Sequence, residues 1–240
     1  MHLVHRFDRL SSTQDELHRL AGEGAPAGTI VVAAEQEAGR GSRGRSWASP
    51  RGGLWLSFLC RPSRSVGVEA LSLRVGLGAA RALGQIPGLP PVSLKWPNDL
   101  MVNDRKVGGI LCEARWQGDT LAWVGVGLGL NVSNPVPAMV STPAGRLADS
   151  RADLEPEQLL WPIVDCLLPL AESGAGLSAE ELGAFAERDW LAGRELTAPV
   201  RGRAAGITID GALQVELEEG GKVSLSSGSI VVAANNVLGG

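Results

Sequence analysis

A short stretch at residues 39–47, G-R-G-S-R-G-R-S-W, concentrates groups that can bind an anion. It holds three arginines and three glycines in nine positions. Glycine allows a tight turn and a close approach of the backbone to a ligand. The arginine guanidinium presents a fixed fork of donors to phosphate or carboxylate. The same composition is also typical of a solvated basic surface loop, so the stretch alone leaves both interpretations open.

Four further segments place a polar or cationic group at the end of an apolar strand or at the start of a helix. Ligands gather at such places, because strand ends and helix N-termini present unpaired backbone groups. The segments are S-S-T-Q at residues 11–14, K-W-P-N-D at 95–99, K-V-G-G-I-L at 106–111 and G-L-G-L-N at 127–131.

The elements that must position these segments follow from hydrophobic periodicity. Helices are predicted at residues 14–21, 71–83, 155–171 and 178–190, and strands at 2–7, 29–34, 54–60, 92–96, 106–114 and 120–130. Beyond residue 193, Gly-rich turns separate short predicted strands at 196–200, 204–209, 212–218 and 223–225, which is typical of a small β-barrel. Gly125, Gly127 and Gly129 alternate along one strand, which predicts bare backbone on one face, suited to close approach of a ligand.

The composition is that of an ordinary globular chain, with 44% hydrophobic and 20% charged residues. A length of 240 residues predicts one large domain, or a main domain with a small one. The sequence contains neither a run of about 18 apolar residues nor an N-terminal basic-then-apolar leader. We therefore expect a cytoplasmic protein without a membrane span.

The charge balance argues against a dedicated nucleic-acid binder. The net charge is −4 and the pI is near 5.5, whereas nucleic-acid-binding domains are usually basic. The aromatic content also argues against a stacking platform for bases, because the chain has three Phe, no Tyr and scattered Trp. The basic residues at 39–47 therefore indicate a local anion site, and we expect no nucleic-acid partner.

The cysteines and histidines do not form a recognisable metal or nucleophile motif. Cys60, Cys112 and Cys166 are far apart and share no ligand spacing with the three histidines, which all lie in the first eighteen residues. Each cysteine has apolar neighbours, which predicts buried free thiols.

In their order and spacing, the five segments resemble the catalytic core of biotin–protein ligases. The runs that carry the resemblance are S-S-T-Q, E-Q-E-A-G-R-G-S-R-G-R-S-W, K-W-P-N-D-L, K-V-G-G-I-L-C-E and G-L-G-L-N-V. The run G-I-T-I-D-G-A-L at residues 206–213 is similar to part of the small SH3-like barrel of that family.

The resemblance implies an α+β fold, in which a mixed β-sheet flanked by helices forms a class II synthetase-like catalytic domain at residues 1–190. A small SH3-like β-barrel domain would occupy residues 193–240. Some members of the family carry a winged DNA-binding domain before the core. Because the core begins within the first ten residues here, we expect no such domain and no operator binding.

The implied reaction has two steps. The biotin carboxylate attacks the α-phosphate of ATP, with Mg²⁺ assisting, to give biotinyl-5′-adenylate and pyrophosphate. A lysine of the biotin-accepting domain of a carboxylase then attacks this mixed anhydride. Preorganised cationic and N–H donors suit such a reaction, because negative charge develops on phosphate oxygens in the transition state. The family also includes homodimers formed through sheet edges.

Carried over residue by residue, the resemblance implies catalytic roles for Lys106, Arg40 and Arg43. It implies a biotin site made of Ser12, Thr13, Gln14, Gln36, Arg40, Gly41, Ser42, Trp47, Lys106 and Gly109. It implies nucleotide contacts from Arg43, Arg45, Lys95, Asn98 and Asn131, and a metal contact from Asp99.

Each of these residue types also has a purely structural interpretation. Ser12 and Thr13 are typical helix caps, and Trp47 is typical of a packed core. Lys106 before an apolar strand is typical of a surface residue, and Asn98 and Asp99 are typical of a turn. Asp99 has a third interpretation, in which it orients Lys95.

The chain departs from the family pattern at two places. The family commonly has an arginine at the position of Ser42 that helps to retain the adenylate, so we expect weaker retention here unless Arg43 or Arg45 substitutes. The family barrel often offers an arginine to the nucleotide near its last strand. The matching run V-S-L-S-S at residues 223–227 has none, so the sequence does not support nucleotide contacts from this domain.

Two other functions are compatible with part of this sequence. A lipoate–protein ligase shares the fold, but the Gly/Arg-rich stretch together with K-W-P-N-D favours biotin. A nucleic-acid-binding module using the arginine stretch conflicts with the negative net charge.

Overall fold

The computed structural model describes residues 3–62, 68–136, 143–172 and 176–233. Two sheets and four helices form its framework. The first sheet contains β1 (Val4–Leu10), β2 (Ile30–Gln36), β3 (Leu54–Cys60), β4 (Ser93–Lys95), β5 (Asp99–Val102), β6 (Arg105–Gln117) and β7 (Thr120–Leu130). The helices are α1 (Thr13–Gly22), α2 (Val68–Gly84), α3 (Pro156–Leu167) and α4 (Ala179–Ala186).

The first sheet is mixed, as the sequence predicts. Its strand order is β1-β2-β3-β7-β6-β5-β4, in which β1 and β2 are parallel and every other pair is antiparallel. This order places the long β6–β7 hairpin in the middle of the sheet. The segments at residues 95–99, 106–111 and 127–131 thereby become neighbours.

Helices cover both faces of this sheet. Leu17 and Ala21 of α1 pack with Val31 and Leu59 in a small buried cluster on one face. The adjacent strand residue Phe58 belongs instead to the large core cluster that includes α2 and α3. Successive side chains of a strand point to opposite faces. Because helices cover both faces of the sheet, β3 is buried along its whole length.

Local capping fixes where α1 begins. The Ser12 side chain accepts a hydrogen bond from Gln14 N, and Asp15 and Glu16 occupy the first turn, where negative charge is favourable. The cap therefore places Thr13 and Gln14 in the first turn of the helix, against the sheet.

The second sheet lies in the C-terminal part of the chain and is antiparallel. It has the order β11-β10-β9-β8-β12, formed by β8 (Glu195–Ala198), β9 (Gly202–Ile207), β10 (Leu213–Leu217), β11 (Lys222–Leu225) and β12 (Val231–Val232). Within the described residues, hydrogen bonds do not join β11 to β12, so the sheet is not a closed barrel. The predicted fold class is confirmed in this open form, and residues 234–240 of the predicted domain lie outside the described part.

The two sheets are joined by a continuous core. Leu196, Leu213 and Val215 of the second sheet belong to the same buried cluster as the first. Trp96 is 1% exposed and donates from its indole nitrogen to Gly211 O at 2.8 Å. This contact fixes the second sheet beside the K-W-P-N-D segment.

Some boundaries differ from the sequence prediction. The helix predicted at 178–190 ends at Ala186, because the chain then pairs with β4: Leu94 N donates to Arg188 O, and Trp190 N donates to Leu94 O. The helix predicted at 155–171 ends at Leu167 and continues as a 3₁₀ turn over residues 168–170. The strand predicted at 2–7 begins at Val4, and residue 2 lies outside the described part.

The helices of the described part include none that is both long enough and apolar enough to cross a membrane.

Candidate active site

A cavity lies between the start of α1, the sheet surface and the Gly/Arg loop, which we define as residues 39–47. All ten residues predicted for the biotin site line it: Ser12, Thr13, Gln14, Gln36, Arg40, Gly41, Ser42, Trp47, Lys106 and Gly109. The structure therefore brings together side chains that are up to 97 positions apart in the sequence.

A chain of hydrogen bonds organises one wall of this cavity. Gln36 Oε1 accepts from Thr13 N at 2.7 Å and from the Thr13 hydroxyl at 3.0 Å. Gln36 Nε2 donates to Ser49 Oγ at 2.7 Å, and the Thr13 hydroxyl also lies 2.8 Å from Ser57 Oγ. Ser57 was missed in the sequence analysis, although a single serine in the apolar run L-W-L-S-F-L-C is a signal that could have found it.

Two buried polar atoms in the lining have no hydrogen-bond partner among the described residues. They are Gln14 Oε1, an acceptor, and Trp47 Nε1, a donor. A buried polar atom without a partner costs free energy, about 1–3 kcal/mol in mutational data. The cavity is therefore suited to a ligand that offers both a donor and an acceptor.

The alternating glycines of β7 allow these side chains to approach the sheet. A Cβ on Gly129 would lie 2.7 Å from Trp47 Nε1, and one on Gly127 would lie 3.3 Å from Gln14 Oε1. On β6, a Cβ on Gly109 would lie 3.2 Å from the Trp47 ring. The bare strand surface predicted from the sequence thus carries the Trp47 ring and the Gln14 amide.

A second cavity adjoins the first and shares Ser42, Arg45 and Asn98 with it. Four of the five residues predicted to contact nucleotide line it: Arg43, Arg45, Lys95 and Asn98. The lining also includes Asp99, the predicted metal contact. The lining of this second cavity is thus rich in cations.

The C-terminal sheet contributes a segment to the second cavity that the sequence analysis missed. Residues 226–230 line it, and Ser229 Oγ accepts from Arg43 Nη1 at 2.5 Å. The run S-S-G-S, rich in small hydroxyl side chains, was the available signal.

Lys106 lines the first cavity and pairs with a residue that lines the second. Its ammonium is 2.5 Å from Asp99 Oδ1 and 5.1 Å from the centre of the Trp47 ring. The Lys106 side chain is 8% exposed. The surface interpretation of Lys106 is therefore wrong, and the Lys106–Asp99 ion pair links the linings of the two cavities.

Lys95 is held by the segment between α4 and β8. Its ammonium lies 5.0 Å from the centre of the Trp190 ring, and burial lowers its pKa, an effect that the Asp99 carboxylate partly offsets. The Trp190 ring also contacts the Arg194 guanidinium, at 3.9 Å from the ring centre.

Two predicted residues lie differently from the rest. The Asn131 side chain is buried outside the linings of both cavities, where its Oδ1 accepts from Asn134 Nδ2 at 3.2 Å. Arg40 lines the first cavity, but its terminal nitrogens pair with Asp15 Oδ1 at 2.5 Å and with Glu113 Oε1. In this conformation the Arg40 guanidinium is held by carboxylates.

Neither a metal cluster nor a disulfide is found in the described part of the chain. Its His, Cys, Asp and Glu side chains do not gather in any group of three that could hold a metal ion. Cys60, Cys112 and Cys166 are free thiols, and burial raises the pKa of Cys60 to about 12.

The sequence profile of the Biotin/lipoate A/B protein ligase family matches residues 6–131 of the chain. The chain belongs to this family. The profile described as Biotin protein ligase C terminal domain matches residues 193–232, which contain the second sheet.

Individual members of the biotin/lipoate ligase family show the same likeness. The bifunctional ligase/repressor BirA of Bacillus subtilis (strain 168) is 39% identical over 134 residues, which cover 55% of this chain and 41% of that protein. The biotin–[acetyl-CoA-carboxylase] ligase of Paracoccus denitrificans is 38% identical over 127 residues, which cover 52% of each chain. This chain therefore spans about half the length of the curated relatives it matches.

A solved structure extends the likeness to the whole fold. The biotin protein ligase from Aquifex aeolicus in complex with biotin and ATP superimposes with a TM-score of 0.79 at 29% identity, covering 97% of this chain and 99% of that chain. The family and fold predicted from the five segments are thereby confirmed.

Proposed function

We propose that this protein joins biotin to ATP as biotinyl-5′-adenylate and transfers the biotinyl group to a lysine of the biotin-accepting domain of a carboxylase. One observation carries the proposal. The first cavity has a buried unpaired donor and acceptor, and Lys106 in its lining pairs with Asp99 in the lining of the adjoining cation-rich cavity. One ligand would lie on each side of this ion pair.

The first cavity suits the ureido ring of biotin. A ureido group offers N–H donors and a carbonyl acceptor, which match the unpaired Gln14 Oε1 and Trp47 Nε1. Ser12 Oγ, which accepts the helix-cap hydrogen bond, keeps its hydroxyl hydrogen for the ligand. Capping and ligand binding are therefore compatible roles for Ser12.

The second cavity suits the nucleotide. Arg43, Arg45 and Lys95 supply positive charge, and Asn98 lies where the two cavities join. Arg43 has a left-handed backbone conformation with φ 60°, which turns its guanidinium toward Ser229 of the second sheet. The second sheet thus contributes to the proposed nucleotide site through serine hydroxyls.

The chemistry follows from this placement. A biotin carboxylate oxygen attacks the α-phosphorus, the bond to the β-phosphate oxygen breaks, and pyrophosphate leaves. Lys106 neutralises charge on the carboxylate and on the α-phosphate oxygens, while Arg43 and Arg45 hold the phosphates in line. An acceptor lysine amine then attacks the biotinyl carbonyl and AMP leaves.

Asp99 is the residue proposed to hold Mg²⁺. Mg²⁺ in nucleotide sites is usually held by one or two carboxylates together with the substrate phosphates. A single carboxylate lining the second cavity fits that donor set, with ATP supplying the other oxygens. When bound, Mg²⁺ would neutralise phosphate charge.

The two predicted domains would have separate roles in this reaction. Residues 1–190 would bind the substrates, and residues 193–240 would close the nucleotide side. Asn131 would approach the nucleotide only after a shift from its pairing with Asn134.

The edge strand β1 would permit a homodimer, which light scattering at several protein concentrations would test.

The decisive experiment is ATP–pyrophosphate exchange with biotin or lipoate as the acid, followed by transfer to a purified acceptor domain. We expect exchange with biotin, and a loss of about 10²–10³-fold in kcat/KM for Lys106→Ala. Exchange with lipoate alone would assign the chain to the other branch of its family.

A further inference from the structure

Glu113 on β6 lies behind the first cavity, between α1 and the Gly/Arg loop. Its Oε1 accepts from Arg40 Nη2, and its Oε2 lies 3.3 Å from His18 Nε2. The carboxyl side chain is 18% exposed. Hydrogen bonding from His18, with smaller contributions from Arg40 and Gln14, lowers the pKa of Glu113. The group is therefore an anion held by the side chains of His18 and Arg40.

The direction of the His18 hydrogen bond is fixed by Trp123. The Trp123 indole nitrogen lies 2.9 Å from His18 Nδ1. An indole N–H can only donate, so Nδ1 accepts and the histidine hydrogen is on Nε2. His18 therefore donates to Glu113 and holds the carboxylate in one orientation.

Glu113 also holds the helix that carries Gln14. His18 lies one turn after Gln14 on α1, so the His18–Glu113 contact fixes this part of the helix against β6. Gln14 Nε2 donates to Gly125 O at 2.8 Å, which requires the NH₂ group on that side, away from the cavity. The unpaired Oε1 is consequently presented as an acceptor in the first cavity.

The same carboxylate anchors the Gly/Arg loop. Arg40 pairs with Glu113 on β6 and with Asp15 on α1. An arginine–carboxylate hydrogen bond is charge-assisted and stronger than a neutral one. The loop is thus tied to the two elements that form the wall of the cavity.

We propose that Glu113 is a positioning residue that couples the biotin-binding acceptor Gln14 to closure of the Gly/Arg loop, by holding His18 on the helix of Gln14 and Arg40 on the loop. Glu113 lines neither cavity as the structure describes them, so it acts only through His18 and Arg40. The inference rests on the proposed function for the identity of the ligand, and on the described contacts for the coupling.

The test compares Glu113→Gln with Glu157→Gln. The control removes the carboxylate of another arginine–glutamate pair, Arg6–Glu157, at 2.8 Å on the surface. Trypsin cleavage within residues 39–47 is followed without ligand, and biotin affinity is measured by calorimetry. For Glu113→Gln we expect cleavage about five- to tenfold faster and biotin affinity about tenfold weaker. Neither quantity should change in the control.

Arg40→Gln provides a second variant that removes the same contact from the loop side. In the double variant Arg40→Gln/Glu113→Gln, cleavage after Arg43 and Arg45 should be no faster than in the faster single variant. The reason is that each single change already breaks the same Arg40–Glu113 contact. Additive effects would overturn the anchoring role. Faster cleavage with unchanged biotin affinity would overturn the coupling to Gln14. If the unaltered protein bound no biotin, the proposed function would fail, and the cleavage rates alone would decide the anchoring.

Discussion

The Lys106 ammonium lies 2.5 Å from Asp99 Oδ1, with the two residues on paired strands, Lys106 lining the first cavity and Asp99 the second. The pairing register of β5 and β6 places them there. Asp99 opposes Gly109, and a shift in this pairing brings Lys106 opposite Met101. The carboxylate both orients the ammonium and faces the proposed nucleotide cavity.

Replacing Asp99 with Asn should therefore impair nucleotide use more than biotin binding. The variant removes the charge that pairs with Lys106 and the carboxylate proposed for Mg²⁺. We expect kcat/KM for ATP in pyrophosphate exchange to fall about 10- to 100-fold, and the biotin dissociation constant to stay within about threefold. Asp153→Asn, which removes a surface partner of Arg151, is the matched control. An unchanged ATP dependence in Asp99→Asn would show that Asp99 is only a turn residue.

The site could be predicted from the sequence where motifs end strands that the sheet order brings together. The family resemblance assigned Ser12, Gln36 and Lys106 to one site, and in the structure all three line one cavity. Asn131 shows the limit: its position just after β7 was predictable, but the side of the chain to which its amide points depends on Asn134.

The contribution of the second sheet could not be predicted because it depends on docking. The position of Ser229 beside Arg43 follows from how the second sheet packs, including the hydrogen bond from Trp96 to Gly211. The early end of α4 has the same origin, since the chain after Ala186 pairs with β4. Local secondary-structure propensity does not predict these long-range contacts.

Trp190 should influence ATP affinity through Lys95. The ring lies 5.0 Å from the Lys95 ammonium, and its indole nitrogen donates to Asp104 Oδ1 at 2.7 Å. A cation–π contact contributes about 0.5–2 kcal/mol, so Trp190→Ala should raise the KM for ATP roughly 2- to 30-fold. Trp190→Phe keeps an aromatic face and should retain most of the affinity. Trp161→Ala, at a tryptophan that is 44% exposed, controls for loss of a surface ring. Equal KM values for all three variants would contradict a role for Trp190.

Ser42 should limit how long the adenylate is retained. Its hydroxyl accepts from Arg45 Nη2 at 2.9 Å and its carbonyl from Arg45 Nε at 3.2 Å, so Arg45 folds back onto the loop. Ser42→Arg adds a guanidinium where both cavities meet, and we expect release of labelled biotinyl-adenylate to slow about tenfold. Ser150→Arg adds the same charge at an exposed position outside both cavities. If release were no slower in Ser42→Arg than in this control, Ser42 would not be the cause of weak retention.

Asp189 should make stability depend on pH. Burial raises its pKa to about 6, and its carboxylate accepts from Leu191 N at 2.8 Å. An unfolded aspartate titrates near pH 3.9, so between about pH 4 and 6 the folded protein keeps a proton that the unfolded chain releases. The stability from this group is therefore present at low pH and is lost as pH rises through about 6. Asp189→Asn keeps the acceptor without the charge. Urea unfolding should show the variant more stable than the unaltered protein by about 1–3 kcal/mol at pH 8, with a smaller difference at pH 4.5. Asp153→Asn, at a fully exposed carboxylate, should show no such gain at pH 8. A gain for Asp189→Asn that is equal at both pH values would mean that burial of the charge is not its source.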